Sequence, residues 1–108
     1  MNKLIFIFTI TIVMLSCKKV SLICEDAEYT YDTDVKMIIE QRCNNAGCHD
    51  AGSINGEFTS YEKLEIFLKN GKFNKHVFVD KDMPKNDTLS FDQKVVLQCW
   101  FENGYEEN

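Results

Sequence analysis

Apolar residues come first as one near-continuous run and later as stripes at helical spacing. The run covers residues 4–15, twelve positions, and follows Lys3. It is shorter than the roughly 20 apolar residues that span a bilayer core, and it has the charge and length of a secretory signal. Over residues 32–43, Val35, Ile38, Ile39, Arg42 and Cys43 share one face of a 3.6-residue period, which predicts a helix. Asp32 or Thr33 is its expected cap. Arg42 is expected to lay its stem along the apolar face with its charge outside. Ser60 should cap a second helix reaching about Asn70 and ended by Gly71, with Leu64, Phe67 and Leu68 inward. Residues 73–79 fit one or two helical turns best, although their alternation also permits an extended strand. Ser90-Phe91-Asp92-Gln93 is a capping box. It opens a final helix with Phe91, Val95, Val96, Cys99 and Trp100 inward, widened by Leu97 and Phe101 and ended by Gly104. No long alternating run supports a sheet and no internal repeat occurs, so the expected fold class is all-α.

Composition narrows the function more than the fold. The chain has 108 residues, enough for one domain, and taking residues 1–16 as the signal leaves about 92 to fold. A domain of that size buries its own core only modestly, and a large apolar cofactor at its centre would help. The net charge is −5, and without Lys3 the remainder carries 11 basic against 17 acidic residues. Nucleic-acid binding, which wants a basic face, is therefore not expected. An acidic surface suits a basic or neutral protein partner and also keeps a protein soluble.

The chemistry concentrates in Cys43-Asn44-Asn45-Ala46-Gly47-Cys48-His49. Two thiols followed at once by an imidazole form a variant of the C-x-x-C-H haem-attachment signal, with two extra residues between the thiols. Each thiol can add across one haem vinyl group, and both must then lie along one side of the ring. A His directly after the second Cys comes under the iron, so the Cys48-His49 adjacency is the stiffest requirement. The longer loop can bulge, because Asn44, Asn45 and Gly47 tolerate positive φ. Two other readings fit the same residues. Cys43 and Cys48 could form a disulfide in an exported protein. They could also bind zinc with His49 and His76, although that spacing matches no usual finger or ribbon.

Two resemblances add to this. Met14-Leu15-Ser16-Cys17 resembles a bacterial lipoprotein processing site, which implies cleavage before Cys17 and acylation there. Several acyl chains hold a protein firmly on a membrane. Residue 18 is Lys, not the Asp that retains such lipoproteins at the inner membrane, so an outer-membrane anchor facing the periplasm is implied. Residues 17–30 then read as a tether and 31–108 as the domain.

The second resemblance covers residues 31–105. A helix ends in C-x4-C-H, a Ser-Tyr-Glu helix and Met83-Pro84 follow, and a capped helix ends in Cys-Trp-x-x-x-Gly. This order is similar to small bacterial c-type cytochrome domains. The resemblance implies three to four helices around one covalent haem c. Cys43 and Cys48 would be the thioether attachments, His49 the proximal and Met83 the distal iron ligand, with His76 as the competitor for the distal place. With Cys17 assigned to lipid and Cys43 and Cys48 to haem, Cys24 and Cys99 remain in an oxidising compartment. A disulfide between them is expected, with two unpaired thiols as the alternative.

The function so implied is single-electron transfer by a membrane-anchored monohaem cytochrome to or from a redox partner protein, with no catalytic triad or carboxylate pair to make it an enzyme. A haem-free, disulfide-stapled envelope lipoprotein is the rival, and a haem-bearing accessory subunit of a larger redox enzyme is a third possibility.

Overall fold

A computed structural model describes residues 24–108. The expected signal, Cys17 and the first part of the expected tether lie outside the described residues. A π-helical turn, Tyr31–Val35, runs straight into α1, Lys36–Arg42. Then come α2, Tyr61–Lys69, a π-helical segment, Asn74–Val79, and α3, Phe91–Glu102. Among the described residues there is no strand, and the class is all-α. Residues 73–79 are helical, so the extended alternative is not what forms.

The caps account for the helix starts. Ser60 Oγ accepts from the Lys63 N–H at 3.3 Å, and Gly71 stands just past α2 at φ 81°. Ser90 and Gln93 make both halves of a capping box at 3.1 and 3.0 Å. The first helix departs from expectation, because its cap is Thr30, neither Asp32 nor Thr33. Thr30 Oγ1 accepts from the Thr33 N–H, and the Asp34 carboxylate reaches back to the Thr30 N–H at 3.0 Å. The Thr30 carbonyl accepts from both the Asp34 and Val35 N–H groups, which widens the first turn into a π-turn.

Trp100 is fully buried and forms the hub of one end of the molecule. Tyr31, Phe73 and Tyr105 surround it with ring centroids 6.3–6.5 Å away. Its indole N–H donates to the Glu106 carbonyl at 2.9 Å, which satisfies the polar edge of a buried indole. Tyr31 and Asp32 donate their N–H groups to the Glu106 and Glu107 carbonyls, so the chain's last residues cap the entry to α1. Val35, Ile38 and Ile39 are buried as the stripe predicted. Phe91, expected in the inner stripe of α3, is instead 74% exposed. It occupies the first position of the helix, beyond the neighbours that cover Leu97, Cys99 and Trp100.

Residues 24–30 are packed against α3. Cys24 is buried and bonded to Cys99, with Cα atoms 4.9 Å apart. The Asn103 side-chain amide donates to the Cys24 and Ala27 carbonyls at 3.1 and 2.8 Å. The bond closes a 75-residue separation. Replacing both cysteines with serine should cost roughly 2–4 kcal/mol, read as a lower chemical-denaturation midpoint. An unchanged midpoint would assign the docking of this segment to Asn103 and its neighbours alone.

Candidate functional site

The C-terminus of α1 delivers Cys43, its C-cap residue, to the wall of a cleft. The loop that follows closes on itself. The His49 N–H donates to the Cys43 carbonyl at 3.1 Å and the Cys48 N–H to the Asn45 carbonyl at 2.9 Å. Ser53 Oγ donates to the Cys48 carbonyl. Of the three residues expected to tolerate the bulge, Gly47 alone takes positive φ, at 80°. Asn44 and Asn45 stay in ordinary conformations because one glycine suffices for the turn.

His49 is held on three sides. Its Nδ1 lies 2.9 Å from the Gly56 carbonyl. A carbonyl only accepts, so Nδ1 donates, which leaves Nε2 as the ring nitrogen free to meet a metal. Its ring stacks on Phe58 at 4.0 Å and 4°. The Phe58 N–H donates to the His49 carbonyl at 2.8 Å, tying the two backbones together as well. Gly56 must be glycine here. It has φ 97°, and a Cβ would lie 2.1 Å from Phe67 Cζ.

A cleft of about 460 Å³ opens beside these residues, within the size range of small-molecule sites. Cys43, Cys48, His49 and Met83 all line it, and so does His76. Phe58, Phe67, Phe73, Val77, Leu89 and Leu97 give it largely apolar walls. Arg42 and Asp87 line it too, and Arg42 donates through Nη1 to both Asp87 carboxylate oxygens at 3.1 Å. The Thr88 N–H first, and then Arg42, hold the Asp87 carboxyl below its usual range.

Neither Cys43 nor Cys48 is in a disulfide. Burial first, then the neighbouring Cys48 and Asp87, pushes the Cys43 thiol up to about 12. Thiolate is the reactive form of cysteine. From an ordinary value near 9, the thiolate fraction at neutral pH falls by about 10³. In the folded chain with its thiol unmodified, Cys43 should therefore alkylate more slowly with iodoacetamide than after denaturation, by less than that factor because a thiolate of higher pKa is the better nucleophile. Equal rates in the two states would mean that the site is open to water.

Periodicity did not single out the residues that hold the two histidines: Phe58, which lines the cleft, and Gly56 at His49, and Asp82 at His76. No sequence signal marked them, since each works through a fold-back that only the assembled chain creates. His76, Asp80 and Asp82 bring one donor atom each within 4.8 Å of one another. Lys75 already pairs with Asp80 and His76 with Asp82, so these donors are engaged among themselves. No family model, curated protein or solved structure matches this chain.

Proposed function

We propose that this protein is a single-electron carrier, a c-type cytochrome in which the cleft holds one covalent haem c. The observation that carries the reading is the donor set. Two free thiols, an imidazole with a fixed tautomer and a thioether line one largely apolar cleft. Those donors fit the group: thiols for the vinyl edges, His49 Nε2 and Met83 Sδ for the iron. Haem, once bound, supplies a one-electron iron couple. The chain's own part is to fix the ligands and exclude water. His49 is oriented by Gly56 and Phe58, and its hydrogen bond raises its basicity as a ligand. The largely apolar walls limit water at the site, and the open side of the cleft would leave a haem edge accessible to a partner protein.

On this reading the carrier faces the periplasm, anchored through acylated Cys17, with a redox partner protein and no nucleic acid. Among the described residues no helix is long and apolar enough to cross a membrane. The test is expression with cytochrome c maturation factors, followed by a pyridine haemochrome spectrum and haem staining after denaturing electrophoresis. One haem per chain that survives denaturation supports the proposal. A correctly exported, colourless protein sinks it.

A further inference from the structure

We infer that His76 is a positioning residue for Met83, acting with Asp82 as a clasp that holds the Met83 thioether in the cleft. The inference rests on the haem reading above for its consequence and on the following geometry for its cause. The segment between the Asn74–Val79 helix and Met83 turns back sharply, with Lys81 at φ 55°, a left-handed conformation that costs a non-glycine residue energy. Such a turn persists only where surrounding contacts determine it. His76 supplies several of those contacts. Its carbonyl accepts from the Asp82 N–H at 3.1 Å and from the Met83 N–H at 3.3 Å. Its Nδ1 lies 3.0 and 3.2 Å from the two Asp82 carboxylate oxygens, which only accept, so Nδ1 donates. The preceding residue repeats the pattern: Lys75 pairs with the Asp80 carboxylate, and the Lys75 carbonyl accepts the Asp80 N–H at 2.8 Å.

Met83 is thus tied to His76 by its own backbone and through the side chain of the residue before it. Backbone bonds alone leave the return free to hinge about Lys81. The His76 side chain closes it at a second point. Two points of attachment on consecutive residues fix where the Met83 backbone sits relative to the helix and so the direction in which its side chain leaves it. The clasp also engages Nδ1 of His76, so this residue serves the Met83 side of the cleft by holding the loop.

The experiment uses the full haem-loaded chain and reads the long-wavelength sulfur-to-iron band of the oxidised form. His76→Ala and Asp82→Ala should each weaken this band, and the double variant should weaken it no further than either one. His76→Asn keeps a donor close to where Nδ1 lies and removes Nε2, so it should restore the band. In the same variants, the Met83 amide should exchange its hydrogen faster in His76→Ala than in His76→Asn. Haem-loaded protein with the band unmoved in both alanine variants overturns the clasp and leaves the haem reading standing. A haem-loaded parent that shows no sulfur-to-iron band also overturns it, because a donor other than the Met83 thioether, His76 Nε2 first, then holds the distal place. A chain that holds no haem overturns the cytochrome reading and this consequence together.

Discussion

On the cytochrome reading, the chain with both Cys43 and Cys48 replaced by alanine should hold no haem on denaturing electrophoresis, whereas the parent should keep it. Each single variant should keep the haem through the remaining thioether and show a shifted pyridine haemochrome band, because one vinyl group then stays unsaturated. The two thiols reach this role by different routes. Cys43 is set by α1, whose last turn buries Ile38 and Ile39 and so fixes the direction in which the helix ends. Cys48 is set by the loop, through its N–H to Asn45 and its carbonyl to Ser53. Cys48→Ala leaves both backbone bonds intact, and His49 keeps its hydrogen bond to Gly56 and its stack on Phe58. The imidazole should therefore still ligate iron in that variant. Mass spectrometry of the haem-containing parent provides the direct check, since an unmodified Cys43 would show that the long loop attaches haem through Cys48 alone.

How much of this was legible in the sequence depended on whether the deciding contacts were local. Ser60 and the Ser90-Gln93 box act within one turn, so they could be read directly and they start their helices where expected. Helical periodicity placed Val35, Ile38, Ile39, Leu64 and Leu68 inside, because each stripe needs only its own helix to define a face. The start of the first helix was misplaced by a local competition. Asp32, Thr33 and Thr30 can all cap, and the choice fell to Thr30 because Asp34 reaches back to its N–H. Phe91 was misplaced for the opposite reason: the stripe continues to the helix end, but the neighbouring elements do not.

The site divides in the same way. Cys43, Cys48 and His49 announce themselves by adjacency, and Met83 by the proline after it. Gly56 and Asp82 do not. One is seven residues from the His it orients and the other six, across turns whose closure depends on packing elsewhere. Gly56 owes its identity to Phe67 on α2, a contact that no pattern within the loop encodes. The cleft wall is likewise assembled over long range: Phe73 lines it and also packs against Trp100, and Leu97 of α3 reaches it across the fold.

On the same cytochrome reading, Met83→Ala should abolish the sulfur-to-iron band of the oxidised, haem-loaded protein and lower its reduction potential. His/Met ligation raises the potential relative to ligand sets without the thioether, because a soft neutral sulfur favours the reduced iron. Axial ligands and their surroundings move haem potentials over about 0.8 V, so losing one ligand should shift this couple by something on the order of 0.1 V or more. Met83 is half-buried and lines the cleft 34 residues beyond His49, with α2 and the second π-helical segment between them to enclose the ring. A methionine that only filled space would give a different result: alanine would leave a void and reduce stability while the band and potential stayed put. His76 is the one other imidazole at the cleft among the described residues, so it is the donor to exclude. His76→Asn removes its Nε2 yet retains a side-chain donor to Asp82, and it should keep both the band and the potential. If His76→Asn shifted the potential and Met83→Ala did not, His76 would be the ligand. Met83 would then be reduced to packing against the wall of the cleft.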